Sequence, residues 1–208
     1  MKQHLPNILT IARLVLCLGM FAALAAIGHF LQLAALGQAL PDYARWLPPF
    51  AVIAFFVAAI TDFFDGWLAR RWNVVSLAGA ILDPIADKIL VCGAILGLLA
   101  VRAPGVLVAG GVILFREFAV SALREVLAPR GVKLPVTFLA KTKTTLQLVA
   151  LGAILVLWIW PGLGLGIPIG ALHQSLIAAE GLFDFAALVT VWTGVEYALA
   201  ARKALQAA

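Results

Sequence analysis

The stretch 61–89, TDFFDGWLARRWNVVSLAGAILDPIADKI, puts Asp62, Asp65, Asp83 and Asp87 within twenty-six positions of a 208-residue chain that holds only ten acidic residues. Apolar sequence flanks and threads it: Leu47–Ile60 runs into it, continuing toward Leu68, and Ile81–Ala100 carries it onward. A carboxylate in an apolar helix is costly unless its charge is compensated. On an α-helix, Asp62 and Asp65 stand three apart and Asp83 and Asp87 four apart, so each pair shares one face of its own helix. Two helices that each offer two carboxylates build a cage of oxygen ligands suited to hard divalent cations such as Mg²⁺ or Mn²⁺. The stretch therefore predicts two helices and a two-metal site at a membrane surface.

The rest of the chain agrees with a membrane setting. It is 64% hydrophobic and 12% charged, with a mean hydropathy of +1.07. No soluble domain needs that much apolar surface. Runs long enough to span a bilayer at ~20 residues each are Ile8–Leu31, Leu47–Ile60, Ile81–Ala100, Pro104–Leu127, Leu139–Trp160 and Leu176–Leu199. The expected fold is all-α: a polytopic integral membrane protein of about six transmembrane helices, forming a single domain over 1–208. Breaks are signalled by Pro41, Pro48 and Pro49, by Asn73, by Pro104, by Pro129 with Gly131, and by the Gly/Pro-rich run Pro161–Gly170. Met1-Lys2 ahead of an apolar run raises a signal peptide, but the run is long and Asn7, Thr10 and Arg13 interrupt its start, so it is read as a span. Cys17 and Cys92 lie in apolar runs and provide neither a disulfide framework nor a zinc site.

Charge orients the spans. With the amino terminus in the cytoplasm, 13 of the 15 Lys and Arg fall on the cytoplasmic side, and only Arg45 and Arg102 fall opposite. The positive-inside rule then puts both termini, and the four aspartates, on the cytoplasmic side. Trp46, Trp67, Trp72, Trp158 and Trp160 sit near span ends, where interfacial aromatics belong.

Three readings of the aspartates compete: charge pairing with Arg70, Arg71 or Lys88, a cation or proton pathway, and a metal site. Small residues beside the carboxylates separate them. Gly66 follows Asp65, Ala69 lies one turn beyond it, and Gly79 precedes Asp83 by four. Small residues let something bulky approach the backbone. A nucleotide needs that room and a bare ion does not.

The spacing Asp62-x₂-Asp65-Gly66-x₂-Ala69-Arg70-x₈-Gly79-x₃-Asp83-x₃-Asp87 resembles the signature of the CDP-alcohol phosphotransferase family at all eight fixed positions. The resemblance implies a six-helix membrane enzyme, usually a homodimer, with a cytoplasmic active site and two divalent metal ions, Mg²⁺ or Mn²⁺. Such enzymes move a substituted phosphate from a CDP-linked donor to an alcohol and release CMP. By the same resemblance Asp62, Asp65, Asp83 and Asp87 are metal ligands, and Asp87 also takes the proton of the attacking hydroxyl. Asp62, Asp65, Gly66, Ala69 and Gly79 border the CDP group; Arg70 faces either an aspartate or the donor. Lys88 is either a solvated cytoplasmic charge or part of the site.

The acceptor is read from the basic residues. Arg116 and Arg124 lie in the cytoplasmic half of the fourth span, and Lys141 and Lys143 just ahead of the fifth. Such a cluster beside a metal site makes a pocket for a second phosphate; the bland alternative is ordinary positive-inside charge. The fragments REFAVSALRE (116–125), AKTKTTLQ (140–147) and LPNILTIAR (5–13) resemble those of family members that join CDP-diacylglycerol to sn-glycerol 3-phosphate, a likeness reaching to about Gln147. This implies that Arg116, Arg124, Lys141 and Lys143 hold the acceptor phosphate and that Asn7, Thr10 and Arg13 border a substrate. The compact chain without an evident transit peptide favours a bacterial inner membrane, where the donor's acyl chains stay in lipid. The rivals are another phosphorylated acceptor such as inositol phosphate, and a divalent-cation transporter built on the same aspartates. Glu117 and Glu125 either orient the neighbouring arginines or balance their charge. Glu180 and Asp184, four apart near the outer end of the sixth span, read as interfacial or interhelical groups, and His29 and His173 as interfacial ones. No G-x-x-x-x-G-K-[ST] or H-E-x-x-H pattern points to an ATPase or zinc protease, and no nucleic-acid partner is expected.

Overall fold

In a computed structural model, which describes residues 5–72, 77–130, 138–159 and 168–207, six long helices stand where the six apolar runs predict them. They are α1 (Leu5–Ala35), α2 (Leu47–Trp72), α3 (Leu77–Ala100), α4 (Val106–Leu127), α5 (Phe138–Ile154) and α6 (Ile169–Ala207). Among the described residues there is no strand. Five helical stretches are long and apolar enough to cross a membrane: Ile8–Ala35, Asp42–Asp62, Val106–Leu127, Thr142–Ile159 and Gly170–Gln206. The remaining long helix, α3, carries Asp83, Asp87 and Lys88 in its first half.

Where the sequence expects breaks, the outcomes differ. Pro48 and Pro49 do not interrupt the chain but form the first turn of α2, where a missing N–H costs nothing. A 3₁₀ turn, Asp42–Trp46, precedes them. A second, Ala128–Arg130, contains Pro129. α1 stops where Gly37 takes φ 74° and the Gln38 N–H donates to the Leu33 carbonyl, a six-to-one closure that a left-handed residue permits. α5 turns into a π-helical segment, Leu155–Ile159, whose Trp158 Nε1 donates to the Val101 carbonyl at 3.2 Å. α6 begins seven residues earlier than its apolar core suggests and ends well past it. The expected break at Asn73, and most of that at Pro161–Gly170, fall outside the described residues.

The helices form two triads. α1 packs along both α2 and α3, and α6 packs along both α4 and α5; α3–α4, α2–α5 and α3–α5 contacts join them. The interior is rich in small side chains, among them Ala51, Ala54, Ala58, Ala94, Ala109 and Ala150, whereas Phe115, Val108, Leu107 and Leu188 are largely exposed. That inversion suits lipid, which rewards close backbone approach rather than burial of large apolar groups. The crossing of α1 and α3 shows it: a Cβ at Gly28 would stand 2.5 Å from the Ala100 carbonyl oxygen.

Candidate active site

α2 and α3 each deliver one carboxylate to a guanidinium on α1. The Arg13 side chain is fully buried, and its Nη1 donates to Asp87 Oδ1 at 2.8 Å and to Asp62 Oδ1 in a shorter contact. Arg13, expected to border a substrate, thus joins the two arms of the aspartate motif. Its carboxylate partners remain partly open to solvent, 36% for Asp62 and 52% for Asp87. Thr10, one turn before Arg13 on α1, is buried as well.

Hard oxygen donors brought from two helices to one point, both partly exposed, fit a divalent cation. Asp65 follows Asp62 by three on α2 and Asp83 precedes Asp87 by four on α3. Their side chains lie outside the described set, as do those of Asn7, Gly66, Ala69, Arg70, Gly79 and Lys141. Among the described residues no group of three or more His, Cys, Asp or Glu comes together.

The second cluster lies between α4, α5 and α6. Helical periodicity turns Phe115 outward, 77% exposed, and its neighbour Arg116 inward, 8% exposed. Arg116 Nη2 donates to Thr193 Oγ1 at 3.1 Å, and Nη1 reaches Glu117 Oε1 at 3.3 Å. The Tyr197 ring, itself buried, lies under both guanidinium groups, 5.5 Å from Arg116 Cζ and 5.0 Å from Arg124 Cζ. Arg124 Nη2 also donates to the Tyr197 hydroxyl at 2.9 Å. Gly194 makes the space: a Cβ there would stand 3.0 Å from Arg116 Cγ.

Lys143 is buried and its ammonium pairs with Glu117, which thereby holds two of the basic residues. One turn on, Gln147 Nε2 donates to Thr190 Oγ1 at 2.7 Å. Two of the three cations, Arg116 and Lys143, thus share a single carboxylate, and Arg124 has no acidic partner among the described residues. Arg116 Nε is buried and finds no acceptor there either. The excess of positive charge and unspent donors suits a phosphate dianion.

Along the helical hairpin α3–α4, Asp87 falls between the levels of Arg116 and Arg124. Asp87 lies thirteen residues, ~20 Å, before the end of α3. Arg116 and Arg124 lie ten and eighteen residues into the returning α4, ~15 and ~27 Å from the same turn.

Sequence reading named Arg116, Arg124 and Lys143, which the structure brings together, and Asp62 and Asp87, which it brings to Arg13; it named Glu117 with two readings open, and the structure shows that Glu117 contacts both Arg116 and Lys143. It missed Thr190, Thr193, Gly194 and Tyr197 on α6. Their signal was present, since Thr190, Thr193 and Tyr197 repeat at three and four residues on a single helix face. Glu180, as expected, lies away from both clusters and packs over Gly105 at the α3–α4 turn.

Comparison with known proteins bears on the whole chain. A protein of Rickettsia bellii named CDP-diacylglycerol--glycerol-3-phosphate 3-phosphatidyltransferase is 40% identical over 205 residues, covering 97% of this chain and 97% of its own. Proteins of the same name from Cereibacter sphaeroides and Escherichia coli K12 are 41% and 39% identical, covering 88% and 76% of this chain and 72% and 81% of theirs. The family model described as CDP-alcohol phosphatidyltransferase matches residues 3–192, well past Gln147, where likeness in the sequence alone faded. The chain belongs to the CDP-alcohol phosphatidyltransferase family.

Proposed function

We propose that the chain transfers the phosphatidyl group of CDP-diacylglycerol to sn-glycerol 3-phosphate, giving phosphatidylglycerol phosphate and CMP. The observation that carries this is the meeting of Asp62 and Asp87, from the two arms of the family signature, at the level of a cluster with surplus positive charge. The relatives are named for this reaction, and the three described above carry no name for inositol phosphate or cation transport.

Each side chain then has a task. Asp62, Asp65, Asp83 and Asp87 are the ligands for two divalent ions, Mg²⁺ or Mn²⁺, which when bound offset the charge of the donor's diphosphate. Gly66, Ala69 and Gly79 leave room for the cytidine, with Arg70 beside it. Arg13 holds Asp62 and Asp87 in register across α2 and α3. Arg116, Arg124, Lys141 and Lys143 bind the acceptor phosphate, and Tyr197, Thr193 and Glu117 position the first, second and fourth of these. The acceptor hydroxyl oxygen attacks the phosphorus that bears diacylglycerol. A P–O bond forms, the P–O bond to CMP breaks, and the hydroxyl proton passes to the Asp87 carboxylate. A carboxylate is a weak base, but the hydroxyl acidifies as it attacks, so base assistance is effective.

The distribution of Lys and Arg and the bacterial relatives support a bacterial inner membrane, with both termini and the site on the cytoplasmic side. The chain acts there as one domain, in a homodimer. The test is CMP release by purified protein given CDP-diacylglycerol and Mg²⁺ or Mn²⁺. Release is expected only with both metal and sn-glycerol 3-phosphate. Better release with inositol phosphate would overturn the acceptor, and none with any alcohol would overturn the reaction.

A further inference from the structure

A cavity of ≈ 400 Å³ opens far from the aspartates, between the end of α1, the 3₁₀ turn Asp42–Trp46 and the start of α2. Phe30 is seventeen residues beyond Arg13 on α1, and Pro48 is fourteen before Asp62 on α2. The cavity is therefore ~21–25 Å from that pair along the helix axes. With a hydrocarbon core of ~30 Å, this is the level of the opposite membrane interface.

Its wall is apolar, with Phe30, Leu31 and Leu40, and its rim carries Asp42 and Arg45. In a 3₁₀ helix residues three apart eclipse, so these two charges stand on one face, ~6 Å apart along the axis. They do not neutralise each other. Among the described residues Asp42 has no cation within salt-bridge distance and Arg45 no carboxylate. Arg45 lies instead over the exposed Trp46 ring, 5.5 Å from its centroid, and Tyr43 packs edge-on to Phe30. Paired, separated and unspent charges above an apolar cavity, within an interfacial aromatic belt, match a molecule with a phosphate, a protonated amine and a hydrocarbon chain.

We propose that this cavity is a binding site for an amine-bearing zwitterionic phospholipid, of the phosphatidylethanolamine type. The acyl chain fills the apolar cavity, the phosphate meets Arg45, and the ammonium donates to Asp42. A net-anionic headgroup offers Asp42 no donor with charge, and a choline headgroup offers it no N–H at all.

The test is native mass spectrometry of the detergent-solubilised full chain titrated with phosphatidylethanolamine, phosphatidylcholine or phosphatidylglycerol of equal chain length. One phosphatidylethanolamine per chain is expected, retained roughly threefold over each of the other two, the size of a partly solvated ion pair. Asp42→Asn should abolish the preference over phosphatidylcholine, and Ala44→Leu, which narrows the cavity lined by Ala44, should lower retention of all three. CMP release by both variants should stay at the parent level, which shows that they are folded. Equal retention of the three lipids by the parent, a preference unchanged in Asp42→Asn, or a dimer of the chain formed in place of a lipid adduct would overturn the proposal.

Discussion

Tyr197 offers the sharpest test of the acceptor pocket, because among the described residues it touches two of the proposed phosphate-binding side chains and neither Asp62 nor Asp87. Tyr197→Phe removes the hydroxyl that accepts from Arg124 at 2.9 Å and leaves the ring under both guanidinium groups. One net hydrogen bond contributes about 1 kcal/mol, with a spread near 0.5. The expected rise in KM for sn-glycerol 3-phosphate is therefore roughly 2- to 12-fold. Tyr197→Leu also removes two cation–π contacts of about 1 kcal/mol each, for a rise on the order of a hundredfold if the three effects add. In both variants KM for CDP-diacylglycerol should hold. The assay is CMP release in mixed micelles with each substrate varied in turn, beside thermal unfolding of the same preparation. An unchanged acceptor KM in Tyr197→Leu, or equal rises for donor and acceptor, would refute the role; a general loss of folding would move both constants together.

Other perturbations separate positioning from chemistry. Asp87→Asn should lower kcat by roughly 10²- to 10⁴-fold, the range of general acid–base assistance, while the variant still inserts; near-parent turnover would remove Asp87 from the reaction. Arg13→Met replaces a buried cation whose carboxylate partners keep solvent access, so stability should change by about 1 kcal/mol or less while CMP release falls at least tenfold. Unfolding of that variant would make Arg13 a structural group. Gly194→Ala pushes a methyl against Arg116 Cγ and should raise acceptor KM with donor KM unchanged. Gly28→Ala confronts a backbone oxygen that cannot turn away, so the α1–α3 crossing must open, at about 1–3 kcal/mol in a detergent unfolding assay. Gly181→Ala, with open space around it, should be near neutral in the same assay.

The helices were legible because membrane spans need long apolar runs, and such runs survive reading without any partner. Their ends were less so. Pro48 and Pro49 punctuate a soluble sequence, yet at a helix start their fixed φ is an asset, so the same residues that suggest a break begin α2. The switch of α5 to a π-helical turn at Leu155 has no composition signal, because Leu155–Ile159 is as apolar as what precedes it. α6 outran its apolar core at both ends, since His173, Gln174, Arg202 and Lys203 extend a helix that hydropathy alone would stop.

The site was legible to the extent that its residues are charged and scarce. An aspartate among apolar residues announces itself, and four at helical spacing define faces before any fold is known. What spacing cannot give is the partner across a helix crossing. Arg13 was placed at a substrate on the resemblance of the fragment 5–13 alone, since its helix lies far from the aspartates in sequence. It meets them only because α1 lies between α2 and α3, an arrangement set by small residues such as Gly28 that read as neutral. Tyr197 carried only the spacing it shares with Thr190 and Thr193, and its role was hidden for the converse reason. Aromatic residues near span ends are common, and only the approach of Arg116 over Gly194 makes this one a platform for two cations. Like-charged guanidinium groups that share a ring remain repelled until an anion arrives. On the proposed assignment the acceptor's phosphate supplies that anion: the repulsion would be relieved on binding, and the pocket would favour a phosphorylated alcohol over a neutral one by charge as well as by hydrogen bonds.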